Sequence, residues 1–323
     1  MAHTTFVTGG SGFLGRNLIA MLVQRGSAVR ALARSAKARA AVESAGGVAV
    51  DGDLEHSAAT VAAMRGCAAV IHCAALPEDW ASKEAMWQAN VIGTENMLRC
   101  AREAQVTRFV HTSTEAVLVD GTALVRVDEK KPLPDKPLGL YAITKGEAEK
   151  RVRAADAPGF AAVIVRPRFI WGNDDSTLLP KIIDEVNSGR FAWIGGGTNL
   201  MSTTHVDNAC HGLIVAGERG VGGETYFVTD GDHISFRAMV EAMLRARGVA
   251  PPTRTIPRAL AHGISIAGTA VASALGLARP MLPHATFHLL ADEVTLLDDK
   301  ARRELGYQNV ISREQGLARM AQR

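Results

Sequence analysis

Thr4-Thr5-Phe6-Val7-Thr8 runs directly into Gly9-Gly10-Ser11-Gly12-Phe13-Leu14-Gly15. The first five residues are apolar or β-branched, as in a buried strand. Leu14, Leu18, Ile19 and Leu22 then recur at helical spacing. A strand that ends in glycines at this spacing and continues as an amphipathic helix is the entry of a nucleotide-binding βαβ unit. Gly9 allows the tight turn, Gly12 lets a pyrophosphate approach the backbone, and Gly15 lets helix and strand pack closely. The helix start offers free N–H groups and the positive end of its dipole to the phosphates.

Further apolar runs follow at 28–33, 48–50, 69–73, 108–112, 161–165 and 225–228, with helical patterns between them. Strands alternating with helices predict an α/β fold, a doubly wound parallel sheet covered on both faces. The proline-broken loop 130–137 separates a strand from a helix beginning near Tyr141. After Arg166-Pro167 the alternation loosens, and the strand near Phe227 returns to the sheet. The expected division is a dinucleotide-binding domain over 1–168 with a return segment near 203–230. A smaller, mostly helical substrate lobe over 169–202 and 231–323 interleaves with it.

The chain has 323 residues, 47% of them hydrophobic and 21% charged, which suits one large core with an appended lobe. A net charge of +3 with no long Lys/Arg block is too small to imply nucleic acid, and no nucleic-acid partner is expected. Cys67, Cys73, Cys100 and Cys210 have neither metal-ligand spacing nor a paired framework, so they read as reduced thiols. The glycine-rich turn stands where the apolar region of a signal peptide would sit, and a cytoplasmic protein is expected. The nearly uncharged stretch 259–278 is rich in Ala, Gly and Ser and contains His262, which fits a packed lobe helix better than a membrane segment.

The end of the second strand chooses the cofactor. An acid there hydrogen-bonds the ribose 2′-OH of NAD, whereas an arginine accommodates the 2′-phosphate of NADP. Here Ala33 fills the acid's place and Arg34 follows, with Lys37 and Arg39 close by. NADP(H) is therefore the expected cofactor, although these cations would also suit a solvated helix start. Asp53-Leu54, at the end of the third strand, is placed to approach the adenine or to form a surface turn.

Tyr141-Ala142-Ile143-Thr144-Lys145 carries the chemistry. Residues four apart share a helix face, so the phenol and the ammonium serve one site. A free phenol titrates at about pH 10, too high for easy proton exchange at neutrality. A cation held close stabilises the phenolate, and Tyr141 can then act as acid toward a carbonyl oxygen or as base toward an alcohol.

With these motifs the sequence resembles the extended short-chain dehydrogenases/reductases, the NAD-dependent epimerase/dehydratase family, from Thr5 to about Phe227. Further anchors are Gly52-Asp53-Leu54, His72-Cys73-Ala74-Ala75, Asn90-Val91-Ile92-Gly93-Thr94, His111-Thr112-Ser113-Thr114, Val165-Arg166-Pro167 and His205-Val206-Asp207-Asn208-Ala209. The resemblance implies that Thr114 is the hydroxyl that binds the substrate oxygen, with Thr112 and Ser113 as alternatives one or two places off. Lys145 would also bind the nicotinamide ribose. Gly9, Gly12, Phe13, Leu14, Gly15, Arg34, Asp53, Leu54, Ala74, Tyr141 and Pro167 would complete the cofactor site. Asn90 would brace helix against sheet. Extended members commonly dimerise through the helix carrying Tyr141, and small residues at Ala142, Gly146 and Ala148 would permit a homodimer.

Departures from the family pattern narrow the function. Nucleotide-sugar dehydratases usually follow the Thr with two acids, but here Glu115 is followed by Ala116. Sugar epimerases commonly continue Val-Tyr-Gly, and this chain has Val117-Leu118-Val119. Ala33-Arg34 resembles dihydroflavonol-reductase-like members. The run Arg166-Pro167-Arg168-Phe169-Ile170-Trp171-Gly172 resembles the 3-beta-hydroxysteroid dehydrogenase subgroup, as does the shorter Glu304-Leu305-Gly306-Tyr307. The resemblance implies an NADP(H)-dependent oxidoreductase interconverting a ketone and a secondary alcohol on a mostly apolar small molecule. Ile264, Ile266, Val271, Leu275, Leu277, Met281 and Leu282 would either wall its pocket or serve as plain core. The alternatives are an NAD-dependent nucleotide-sugar epimerase and a non-catalytic cofactor-sensing protein.

Overall fold

The computed structural model describes residues 3–76, 82–274 and 282–322. Seven parallel strands form the main sheet: β1 (Thr4–Thr8), β2 (Ala28–Ala33), β3 (Val48–Asp51), β4 (Cys67–His72), β5 (Arg108–Thr112), β6 (Ala161–Pro167) and β7 (Thr225–Val228). Their spatial order is β7-β6-β5-β4-β1-β2-β3. The chain winds outward from β1 through β2 to β3, then crosses back to β4 and winds the other way. Between β1 and β4 the connections part to opposite faces, which opens a crevice at the carboxyl ends of the strands.

Alternation along each strand supplies both faces. Phe6, Val70, Phe109 and Ile164 face the helices Ala58–Met64, Gly93–Glu103 and Leu140–Ala155. Val7, Ile71, Val110 and Val163 face the helices Phe13–Gln24 and Val206–Arg219. Such doubly covered strands read as continuous apolar runs, and the sheet agrees with the doubly wound fold expected from sequence.

Helix Phe13–Gln24 lies tight against the strand that precedes it. A Cβ placed on Gly15 would stand 2.1 Å from the Gly9 carbonyl oxygen and 2.8 Å from Gly10 Cα. Gly15→Ala is therefore expected to force helix and strand apart. The predicted cost is about 2 kcal/mol of stability together with weakened dinucleotide binding, which a urea melt and a cofactor titration check.

The remaining chain builds the lobe above the carboxyl edge. It combines helices with three small sheets, the largest joining Ile234–Ser235, Leu200–Met201, Val294–Leu296 and Leu124–Val127. Trp171, Trp193, Phe236, Met239 and Met243 form its core. Further on, Ala301, Leu305 and Tyr307 return to pack with the Rossmann helices, and the Tyr307 hydroxyl donates to the Thr229 carbonyl at 2.8 Å. Among the described residues no helix is long and apolar enough to cross a membrane.

Candidate active site

A cavity of about 470 Å³ occupies the crevice between β1 and β4. Every strand around it contributes from its carboxyl end: Gly9, Ser11 and Gly12 after β1, Arg34 after β2, Gly52 to Glu55 after β3, and Cys73 to Leu76 after β4. Gly9 has a φ of 70°, and a Cβ there would stand 2.7 Å from the Ala74 nitrogen, so only glycine lets these two loops touch. At Gly12 an added Cβ would meet only the Gly9 carbonyl oxygen, at 3.4 Å. Gly12 also caps helix Phe13–Gln24 without any side-chain hydrogen bond, and the first turn carries no acid. The first N–H groups are thus left for an anion. A dinucleotide pyrophosphate fits this cradle.

Of the three cations near β2, Arg39 is tied to Asp51 at 2.6 Å and to Glu43 at 3.3 Å. Arg34 is exposed and lines the cavity, and it has no hydrogen-bond or ion-pair partner among the described residues. Ala33 beside it is buried in the strand. Asp53 accepts from the Leu54 N–H at 2.7 Å, and Asn96 holds the Leu54 carbonyl at 3.0 Å, so this cavity-lining loop is braced from below. Phe13 is buried in the core, and Leu14 packs against it. Pro167 is buried at the end of β6, away from the cavity lining.

The catalytic candidates come from β5 and helix Leu140–Ala155. Thr112 is buried, with its hydroxyl 3.2 Å from the Cys73 sulfur, and Ser113 is buried too. Thr114 is half-buried and caps the short helical turn Glu115–Leu118 by accepting from the Ala116 N–H at 3.2 Å. Of the three hydroxyls it is the one left partly open. Tyr141 begins the facing helix, and burial followed by the Glu115 carboxylate pushes its phenol above the usual value. One turn later, Lys145 donates to the Thr112 carbonyl at 2.7 Å and to His111 Nε2 at 3.0 Å. Burial draws the Lys145 ammonium down to about 8, against the opposing pull of Glu149 and Cys73. Lys145 is itself buried; Thr112, whose carbonyl holds the ammonium, places its hydroxyl 3.2 Å from the sulfur of the cavity-lining Cys73.

Beneath the site lies a buried polar layer that the sequence reading left without a role. His111 stacks on His72 with ring centroids 5.4 Å apart. Burial first, and the Lys145 charge second, lower His72 to about 3 and hold His111 well below its usual value, so both rings are neutral. Thr94 spends its proton on the Asn90 carbonyl at 2.7 Å and therefore accepts from His72 Nε2 at 3.0 Å. Asn90 itself binds both backbone groups of Leu76, at 2.7 and 2.9 Å, and Thr144 at 3.0 Å. It ties the loop after β4 to the helix of Tyr141, the bracing role expected of it.

Two buried ion pairs complete the frame. Arg166 forks onto Glu149 at 2.7 and 2.6 Å. Arg168 pairs with Glu115, whose other oxygen accepts from Thr114 at 2.8 Å, and Arg168 also reaches the Leu289 carbonyl at 3.1 Å. Glu115 is thereby engaged in an ion pair rather than free for acid–base work. Nothing local in the sequence signals this pairing, whose partners are 53 residues apart.

On the lobe side, Ile264 is half-buried, whereas Ile266 and Val271 are 50% and 52% exposed. Leu282 packs against Ala261 and Phe287. Leu275, Leu277 and Met281 lie outside the described residues. Ala142, Gly146 and Ala148 are buried within the chain itself, so the stripe of small residues is accounted for inside one chain.

Comparison with known proteins follows the same lines. The family model described as the NAD dependent epimerase/dehydratase family matches residues 5–229. The 4-hydroxy-2-methyl-3-oxo-4-farnesyl-3,4-dihydroquinoline-1-oxide ketoreductase of Stigmatella aurantiaca is 46% identical, over 98% of this chain and 96% of its own length. A 2-alkyl-3-oxoalkanoate reductase of Stenotrophomonas maltophilia is 34% identical over 97% of both chains. A 3-beta-hydroxysteroid dehydrogenase of Mycolicibacterium neoaurum is 30% identical over 97% of this chain and 88% of its own length. Among solved structures, a double mutant of the dTDP-glucose 4,6-dehydratase DesIV from Streptomyces venezuelae, with NAD bound, superposes with a TM-score of 0.76. It is 25% identical and covers 98% of this chain and 95% of its own length.

Proposed function

Because the chain belongs to the NAD-dependent epimerase/dehydratase family, we propose that it is an NADP(H)-dependent oxidoreductase interconverting a ketone and a secondary alcohol on a mostly apolar small molecule. The observation that carries this reading is the position of Lys145. Lys145 stands one helical turn from Tyr141, with its buried ammonium fixed by the Thr112 carbonyl and His111 beneath the cavity-lining Cys73. The ketoreductase and the oxoalkanoate reductase among its relatives support the carbonyl chemistry, and the farnesyl group in the former's name supports an apolar substrate.

A bound NADPH supplies the hydride. Thr114 would turn the proton it now gives to Glu115 toward the carbonyl oxygen when substrate binds, and Tyr141 delivers its phenol proton to that atom as charge develops there. Lys145 stabilises the phenolate that remains. His111 and the Thr112 carbonyl fix the ammonium, so little reorganisation is needed when the proton moves. The Glu115–Arg168 pair holds the turn carrying Thr114 in register with the lobe.

Arg34 is assigned to the 2′-phosphate of NADPH. Calorimetric titration tests the assignment: the wild-type protein should prefer NADPH to NADH. Arg34→Ala should weaken NADPH binding by about 10- to 100-fold, the worth of a charge-assisted contact, with little change for NADH. Equal losses for both cofactors would refute the assignment. Tightly held NAD that copurifies with the protein would favour the epimerase chemistry instead.

A further inference from the structure

Outside the active site, the lobe gathers three histidines that the reaction does not use. His262 lies on helix Arg258–Ala274, and His284 and His288 lie on helix His284–Ala291. The latter two stand four residues apart on one face, the spacing at which a helix presents two imidazoles to one ion. Ring centroids are 5.5 Å apart for His262 and His284, and 4.7 Å for His284 and His288. A ligand nitrogen of each ring lies within 4.8 Å of those of the other two.

The hydrogen bonds around these rings leave nitrogen lone pairs available. Asp292 accepts from His288 Nδ1–H at 2.7 Å, and its other oxygen pairs with Arg258, so His288 keeps its Nε2 lone pair free. Ser265 spends its one proton on the His262 carbonyl at 2.8 Å. It must therefore accept from His284 Nδ1–H, 3.2 Å away, which leaves the Nε2 lone pair of His284 free as well. The His262 ring makes no hydrogen bond among the described residues. An imidazole whose far nitrogen donates to a carboxylate or hydroxyl is the arrangement that orients metal-binding histidines. Gly121, at a φ of 100°, faces His288: a Cβ there would stand 3.7 Å from Nε2, so no side chain from this turn covers the nitrogen.

From this geometry we propose that His262, His284 and His288 form a binding site for one zinc ion, with a water molecule as the fourth ligand. Zinc at about 2.0–2.1 Å from each nitrogen would bring the three to about 3.4 Å apart, a closure that the half-buried His262 and His284 side chains would have to supply. Three imidazoles select zinc or a neighbouring transition metal over the oxygen-seeking magnesium and calcium. Between His284 and His288 stand Ala285, Thr286 and Phe287, none of them an acid that could act as a base on bound water. The three ligands come from two helices, so the proposed ion would clamp those helices together.

The test uses the full-length protein stripped of metal by a chelator and titrated with zinc chloride. Saturable binding of one ion per chain is expected, with a melting temperature raised by about 5 °C when zinc exceeds its Kd about 100-fold. Magnesium chloride should give neither effect. His262→Gln and His284→Gln should each lose zinc affinity by at least about 100-fold while keeping the melting temperature of the metal-free wild type. Cobalt(II) should give the intense visible bands of a tetrahedral ion in the wild-type protein. No saturable zinc binding, zinc binding unchanged in both variants, or a weak octahedral cobalt spectrum would each overturn the proposal.

Discussion

Tyr141→Phe is expected to cut turnover by about 100- to 10,000-fold and to leave NADPH affinity within about twofold. Tyr141 opens helix Leu140–Ala155, and Phe keeps the ring while removing the hydroxyl that carries the exchangeable proton. Burial and the nearby Glu115 charge raise the phenol's pKa, so at neutral pH Tyr141 is protonated, the form that a general acid requires. In the proposed reaction Lys145 is the cation that stabilises the phenolate, and its bonds to the Thr112 carbonyl and His111 do not involve Tyr141 and should persist in the variant. Steady-state kinetics beside a cofactor titration separate the two effects. Retained turnover would remove Tyr141 from the reaction, and a parallel loss of NADPH binding would make it a cofactor residue.

Glu149→Ala is expected to have the largest effect on stability. Glu149 is fully buried, accepts two hydrogen bonds from Arg166 and takes a third from Arg153 at 3.1 Å. Removing it strands a guanidinium that is itself 1% exposed and already has one nitrogen, Nη1, without a partner. Breaking such a buried pair costs about 3–5 kcal/mol, or about 10 °C in Tm. Burial pushes the Glu149 carboxyl up, but the Arg166 hydrogen bonds and charge more than offset it and leave it below its ordinary 4.5. The pair therefore contributes fully above about pH 4.5, and its contribution is lost as pH falls through the folded value. Glu147→Ala provides the contrast: its partners Lys150 and Arg151 are partly exposed, and the change should cost under about 1 kcal/mol. Similar losses from the two variants in a thermal melt would contradict the account.

The sequence made the elements around the cofactor cleft legible for a physical reason. Each glycine and each strand end there is specified by its immediate neighbours. Gly9, Gly12 and Gly15 act within one turn, and the position of Ala33-Arg34 follows from counting along one strand. Asn90 as a brace was also within reach. What stayed hidden depends on residues far apart in the chain. The Glu115–Arg168 pair, the return of Ala301 to Tyr307 to the Rossmann core, and the meeting of His262 with His284 and His288 leave no periodic signal. Two-residue strands such as Ile234–Ser235 and Trp193–Ile194 are too short to show alternation, so the small sheets of the lobe could not be read from pattern.

One measurement tests the central claim most directly: single-turnover reaction of the protein with an apolar 3-oxo compound and NADPH deuterated at the hydride-donating carbon of the nicotinamide. The account predicts a secondary alcohol with deuterium on its carbinol carbon, formed in equal amount to the NADPH consumed and at least about 100-fold more slowly with Tyr141→Phe. Consumption of NADPH without labelled alcohol, or equal rates from wild type and variant, would contradict it.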